Sequence, residues 1–201
     1  EDDSESAVTR AQQALVLDPK LLPALVAEAV AWGRLLKVNK TLALVAQARD
    51  VAPDHPAPLL LLVVSQAYLK EFDLALKASG QLLSLVSPNP QWEACRPRVR
   101  MLVAMKRYTE AQRFAERELA KAPADDRWRF VRGLVLVLHD RQPWSGINIM
   151  RDVRRNSPEL FQSSLNEFLP VRGTAKQVLQ IVNGPTDAHV TAGLVFEDAL
   201  R

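Results

Sequence analysis

The chain has 201 residues, of which 48 % are hydrophobic and 24 % charged, enough for one domain or an array of small repeats. Its longest apolar run, Leu59 to Val64, has six residues, whereas a membrane-spanning helix needs about 20. The net charge of +3 is uneven, because residues 96–155 carry 15 basic and 7 acidic side chains. Its single cysteine, Cys95, excludes an internal disulfide and is predicted to fill a helix interface.

The first half of the chain reads as a lone helix followed by two helical hairpins. Ala7 to Leu17 predicts the lone helix, and Leu22 to about Ala52 predicts the first hairpin, with its turn at Val38-Asn39. Pro58 to Val86 predicts the second hairpin. The first helix of the first hairpin carries one apolar stripe: Leu25, Ala29, Trp32 and Leu36.

The second half continues with two further hairpins. Gln91 to Ala122 predicts the third, with its connection at Met105 to Arg107 and with Pro97 near the start of its first helix. Asp125 to Asn156 predicts the fourth, with its bend at Gln142-Pro143-Trp144.

Beyond Pro158 the pattern changes. Glu159 to Phe168, Thr174 to Val182 and Pro185 to Leu200 read as three more helices. We therefore predict two parts, an array over residues 1–158 and degenerate C-terminal helices over residues 159–201. The latter form either a fifth hairpin or a cap.

A ladder of mostly small side chains recurs five times, at offsets of four, three and five residues. Its members are Ala7, Ala11, Ala14, Pro19; Thr41, Val45, Ala48, Pro53; Ala75, Ser79, Leu82, Ser87; Ala111, Ala115, Glu118, Pro123; and Gly146, Met150, Val153, Pro158. The last members of successive ladders are 34, 34, 36 and 35 residues apart. Small side chains on one helix face let two helices approach closely, and proline cannot continue the helix before it.

A repeat of about 34 residues built from paired helices resembles the tetratricopeptide repeat (TPR) family. The stretches KRYTEAQRFAERELAKAP and QQALVLDPK carry the resemblance, which covers residues 7–158. Of the family's first-helix signature only Leu25, Trp32 and Gly133 remain. The resemblance implies an all-α, right-handed superhelical solenoid of antiparallel helix pairs. Because the first helix looks like half a repeat, we expect the chain to be a segment of a longer solenoid.

In the TPR family the first helix of each hairpin lines a concave groove. Carried over by register, the predicted partner-binding positions are Val26, Val30, Arg34, Leu60, Val64, Tyr68, Arg96 and Arg100. The groove would be apolar at one end and basic at the other, matching a peptide with apolar and acidic segments. The alternative is that Val26, Val30, Leu60 and Val64 pack against a neighbouring helix. Some family members clamp the C-terminal carboxylate of chaperones with a Lys and an Asn. This chain has Val26 and Val30 at those positions, so we do not expect it to bind chaperone tails.

No catalytic constellation stands out. His55, His139 and His189 lack metal-ligand spacing, and the seven glycines form no phosphate-binding loop. We therefore predict no enzyme activity, no cofactor and no metal. Asp125-Asp126 reads as negative charge at a helix start.

The function predicted from these observations is a non-catalytic scaffold or adaptor that binds a protein or peptide. One alternative is a polyanion- or nucleic-acid-binding repeat that uses the basic third and fourth hairpins. Acidic residues interleave with those arginines, and Glu110 is placed to pair with Arg113. Another alternative is the regulatory or docking domain of a larger enzyme. Composition suggests a soluble bacterial protein, and leaves open cytoplasm or periplasm and the oligomeric state.

Overall fold

The computed structural model describes residues 2–86, 91–139, 144–169, 178–180 and 182–183. Within these ranges the chain contains helices and no β-strand, which confirms the predicted all-α class. Ten helices have defined bounds: α1 Asp2–Leu17, α2 Leu22–Arg34, α3 Val38–Val51, α4 Pro56–Tyr68, α5 Phe72–Val86, α6 Trp92–Ala104, α7 Tyr108–Lys121, α8 Asp126–His139, α9 Trp144–Asn156 and α10 Pro158–Phe168.

The chain divides into two compact units, one ending at Met101 and the other beginning at Leu102. The division falls within α6, so ten of its residues belong to the first unit and three to the second. The predicted boundary at residue 158 stays a prediction. The predicted helix at Pro185 to Leu200 lies outside the described residues, and of Thr174 to Val182 only residues 178–180 and 182 are described, all helical.

In the first unit, each helix from α1 to α4 packs against the one that follows it. Short connections between such neighbours make them antiparallel, so α2 with α3 and α4 with α5 form the two predicted hairpins. The first helices of the two hairpins, α2 and α4, also touch each other. The hairpins therefore stack with their first helices side by side.

The ladder lies in the core of both units. In the first unit its buried members are Ala11, Thr41, Val45, Ala48, Ala75, Ser79 and Leu82; in the second they are Ala111, Ala115, Glu118, Gly146, Met150 and Val153. Glu118 is the charged exception. Its carboxylate lies 2.9 Å from Lys121 Nζ and 3.3 Å from Arg117 Nε, so the buried charge is paired.

Aromatic rings fill much of the second unit's core. Trp128 is buried and packs edge-on against Phe114, with 5.8 Å between ring centroids. Phe130 meets Phe161 edge-on at 5.6 Å. Trp128 is therefore a packing residue.

Three hairpin turns share one backbone geometry. Leu36, Lys70 and Lys106 have φ values of 58°, 62° and 58°. In each turn the next residue's N–H donates to the carbonyl five residues back: Lys37 to Trp32, Glu71 to Gln66 and Arg107 to Leu102, at 2.8–2.9 Å. This is the Schellman motif, in which backbone N–H groups just after the helix donate to carbonyls of its last turn.

Two predictions about the first hairpin are wrong. The turn is Leu35 to Lys37, because α3 begins at Val38; Val38-Asn39 is helical. Leu36 does not belong to the packing stripe, because α2 ends at Arg34 and leaves Leu36 exposed in the turn. The turn contains no glycine or proline, so the sequence has no residue there that would indicate a turn.

The predictions for Pro97 and Trp144 also need correction. Pro97 is the sixth residue of α6, beyond its first turn, and leaves the carbonyl of Glu93 without its usual helical donor. Trp144 begins α9 rather than forming a bend, and the rest of the predicted bend, Gln142-Pro143, lies outside the described residues.

Candidate functional site

All eight predicted binding residues lie in the first unit, on α2, α4 and α6. Each of them is less buried than the residue that precedes it in the sequence. Fully buried are Leu25, Ala29, Leu59, Val63, Cys95 and Val99, whereas Val26, Val30, Leu60, Val64, Arg96 and Arg100 are partly or fully accessible. Each first helix thus turns one stripe inward and leaves the adjacent stripe open. We call these eight residues the open face.

The apolar members of the open face differ in accessibility. Val64 is 49 % exposed and Tyr68 is 56 % exposed. Leu60 instead packs at the margin of a core cluster formed by Leu59, Leu82 and Ala94. Val26 and Val30 are half-buried. Packing therefore uses part of Leu60, whereas Val64 and Tyr68 are available to a ligand.

The arginines of the third hairpin have different surroundings. Arg98 donates from Nη1 to the carbonyl of Leu76 at 3.1 Å and to Ser79 Oγ at 2.9 Å, so it ties α6 to α5. Arg96 forms an ion pair with Glu93 at 3.2 Å, and Arg100 is exposed. The predicted basic end of the face is therefore partly neutralised by an acid on its own helix.

A second basic region lies at the turn of the first hairpin, and sequence reasoning missed it. Between Glu28 and Asp50 the chain carries four basic residues and no acidic one. Arg34, Lys37 and Lys40 are exposed there. The signal that could have revealed it is this run of 21 residues without an acidic side chain.

A buried carboxylate joins α1 to α2. Glu28 Oε1 accepts hydrogen bonds from Gln12 Nε2 at 2.8 Å and from Trp32 Nε1 at 3.1 Å. The ammonium of Lys40 lies 3.7 Å from the centroid of the Trp32 ring, within cation–π range. Trp32 is therefore held in place by contacts on its edge and on its face.

In the described part of the second unit, several basic side chains pair with nearby acids. Glu110 pairs with Arg107 at 2.6 Å, instead of the predicted Arg113, because Arg107 precedes the helix and can chelate both carboxylate oxygens. Asp126 lies 2.9 Å from Arg129 and also accepts a hydrogen bond from Ser157 at 2.7 Å.

Asp125 stands at the start of α8 and acts as its N-cap. Its Oδ1 accepts the backbone N–H of Arg127 at 2.9 Å, and its carboxylate pairs with the Arg127 guanidinium at 2.7 Å. Burial raises the pKa of Asp125, but the hydrogen bonds and charge of Arg127 outweigh burial, so the pKa lies below its ordinary value.

Neither a metal site nor a membrane span is found in the described part of the chain. No three His, Cys, Asp or Glu side chains there come close enough together to share an ion. None of the helices in the described ranges has the length and apolar character to cross a bilayer. His139 Nε2 lies 3.2 Å from Thr109 Oγ1 at the surface of the second unit.

Solved structures with the same fold are helical repeat proteins. YrrB, described as a TPR protein with an unusual peptide-binding site, aligns over 94 % of this chain and 97 % of its own with a TM-score of 0.62 and 13 % identity. The chain has the TPR fold. MamA from Desulfovibrio magneticus aligns over 89 % of this chain and 96 % of its own, with a TM-score of 0.60 and 20 % identity. A TPR protein from Parabacteroides merdae aligns over 91 % of this chain and 79 % of its own, with a TM-score of 0.61 and 13 % identity.

Comparison by sequence finds less. No protein-family model matches the chain, and no curated protein matches it significantly. At these identities the structural matches establish the fold, and the binding residues must be argued from this chain's own side chains.

Proposed function

We propose that this chain is a non-catalytic scaffold that binds a protein or peptide along the open face of its first unit. The observation that carries the proposal is the paired burial pattern on α2, α4 and α6, in which a core stripe lies beside an accessible stripe. Val64 and Tyr68 remain about half exposed, although aliphatic and aromatic side chains favour burial.

The chemistry of the face favours a ligand with aliphatic or aromatic side chains beside an acidic residue. Val64 and Tyr68 offer apolar area, and Arg34 stands on α2 at the position equivalent to Tyr68 on the touching helix α4. A guanidinium recognises a carboxylate through two parallel hydrogen bonds. The peptide-binding site described for YrrB is consistent with such a role for this fold.

Selection from a displayed peptide library tests this proposal. We expect the wild-type chain to enrich peptides that combine apolar and acidic residues, and Arg34→Glu to shift the enrichment towards basic residues because the charge partner is reversed. Val64→Asp should weaken the selected peptides by about tenfold or more, since a charge replaces apolar contact area.

Leu74→Asp is the matched control, because Leu74 is similarly exposed but lies on the second helix α5. It should leave peptide binding and the helical circular dichroism signal unchanged. Equal losses for Val64→Asp and Leu74→Asp, or no enriched peptide class at all, would contradict the proposed face.

Polyanion binding by the second unit has weaker support. Its basic side chains are interleaved with acids that they contact, including the Arg107–Glu110 and Arg127–Asp125 pairs. Paired charges attract phosphates less strongly than an unbroken basic patch does.

A further inference from the structure

The turns of the first two hairpins create a second surface in the first unit, separate from the open face. Because α2 and α4 lie side by side and each is followed by an antiparallel partner, the two turns lie at the same end of the hairpins. Their exposed side chains combine apolar and basic character. We call Leu36, Lys37, Lys40, Leu69 and Lys70 the turn edge.

Leu36 is in an unfavourable place on two counts. Its φ of 58° is the left-handed conformation that glycine and asparagine adopt most easily. Its side chain is also 63 % exposed to water. The equivalent residues in the next two turns, Lys70 and Lys106, are hydrophilic. The turn does not require a leucine, because lysine forms it equally well at Lys70 and Lys106, so the exposed leucine leaves apolar area that is free to bind a ligand.

The charges around Leu36 are of one sign. Lys37 and Lys40 are exposed, and no acidic residue occurs between Glu28 and Asp50. On the second turn the exposed Glu71 and Asp73 outnumber Lys70, so the positive potential is confined to the first turn. Leu69, 41 % exposed, extends the apolar area to the second turn.

We propose that the turn edge binds peripherally to an anionic lipid bilayer, with Leu36 and Leu69 entering the interface and the lysines contacting lipid phosphates. A bilayer is favoured over an acidic protein because both leucines stand exposed on turns, and a fluid apolar phase accepts an exposed side chain without a shaped pocket.

Vesicle co-sedimentation tests the apolar part of the proposal. The chain should bind vesicles of phosphatidylcholine and phosphatidylglycerol, and should not bind vesicles of phosphatidylcholine alone. Leu36→Asn removes the apolar side chain while keeping a residue that tolerates positive φ, so the turn is preserved. It should lower partitioning by roughly fivefold to tenfold. Leu17→Asn is the matched control, because Leu17 is 88 % exposed at the end of α1, outside the turn edge, and should change nothing.

Charge variants test the electrostatic part. Lys37→Gln combined with Lys40→Gln should lower partitioning by roughly fivefold for each charge removed. Lys20→Gln combined with Lys77→Gln removes two exposed lysines elsewhere in the unit and should have a much smaller effect. Rising salt should release the wild-type chain from the vesicles, since the lysine contribution is screened.

Three outcomes would overturn the proposal. One is equal binding to charged and neutral vesicles, and another is a Leu36→Asn variant that binds as well as wild type. The third is absence of binding to the charged vesicles; binding to soluble polyglutamate would then assign the edge to an acidic protein partner instead. The turn edge contains no open-face residue, so vesicle binding and peptide selection can fail separately.

Discussion

At the scale of single residues, non-glycine side chains occupy the left-handed positions of three hairpin turns. Leu36, Lys70 and Lys106 each close a Schellman motif whose two hydrogen bonds satisfy carbonyls that the helix end would leave unpaired. A left-handed conformation costs an L-residue about 1–2 kcal/mol. The hydrogen bonds offset part of this cost, so the turn geometry can persist without a glycine signal in the sequence.

Asp125 gives a prediction about acid stability at the same scale. Its pKa is lower in the folded chain, so protonation favours the unfolded state. The stabilisation is therefore present above the unfolded-state pKa of about 3.9 and is lost as the pH falls through the lower folded value. Asp125→Ala should cost about 1 kcal/mol near neutral pH through the lost N-cap, and the difference from wild type should shrink in acid.

Urea denaturation between neutral pH and about pH 3 measures this difference. Asp152→Ala is the control, since Asp152 is exposed and its contact with Arg155 is 3.8 Å long. An Asp125→Ala deficit that stays constant down to the lowest pH would show that Asp125 does not titrate with an altered pKa.

At the scale of helices, α8 and α9 cross with almost no space between their backbones. A Cβ atom on Gly146 would lie 2.6 Å from the carbonyl oxygen of Gly133, and one on Gly133 would lie 2.8 Å from Met150 Cγ. The ladder position filled by alanine in α7 must therefore be glycine in α9. Small ladder residues set how closely paired helices approach.

Gly146→Ala should destabilise the chain by about 1–3 kcal/mol, because the backbone of α8 would have to move away. Gly80→Ala is the matched control on α5, where an added Cβ meets nothing within 4 Å. It should stabilise by roughly 0.5–1 kcal/mol, because alanine favours the helix over the unfolded chain. Thermal or urea unfolding distinguishes the two, and the same sign for both would show that the α8–α9 crossing is looser than described.

At the scale of the whole molecule, apolar exposure and charge are distributed differently between the units. Of the eleven large hydrophobic residues that are exposed in the described ranges, ten belong to the first unit and Trp144 alone to the second. The second unit contributes 15 of the 26 basic residues of the chain. We therefore place both proposed binding surfaces in the first unit, where unburied apolar area is found.

This distribution predicts weak binding to nucleic acids. The ion pairs of Arg107, Arg127, Arg129 and Lys121 with nearby acids reduce the positive potential of the second unit. We expect a Kd above about 1 μM for duplex and single-stranded DNA and RNA at physiological salt. Fluorescence anisotropy with labelled oligonucleotides measures it, and a sub-micromolar, steeply salt-dependent affinity would favour the polyanion alternative.

Much of the fold followed from the spacing of small residues. Thr41, Ala75 and Ala111 predicted the buried side of α3, α5 and α7 correctly, because a helix face repeats every three to four residues whatever surrounds it. The boundaries were harder where the turn chemistry was unusual, as at Leu36 and Pro97. At Leu36 the deciding hydrogen bonds involve backbone atoms that any residue type other than proline carries, so the side chain gives no signal.

The candidate site, like the fold, could be predicted from the sequence only in part. Register alone placed Val64 and Leu60 on one helix face, and both are aliphatic. The structure separates them, since Leu60 reaches a cluster that includes Ala94 of α6, whereas Val64 is half exposed. Likewise Arg98 and Arg100 are alike in sequence, but the structure places Arg98 against acceptors on α5 and leaves the Arg100 side chain exposed.

The sequence by itself therefore determined the helices, their pairing and the repeat length, because these depend on periodicity within a few turns of one segment. Only the tertiary structure decided which apolar residues stay open, which arginines are tied to neighbouring helices and where a leucine is left exposed on a turn. Those properties depend on what the adjacent hairpin places against a side chain, and residues far apart along the chain provide it.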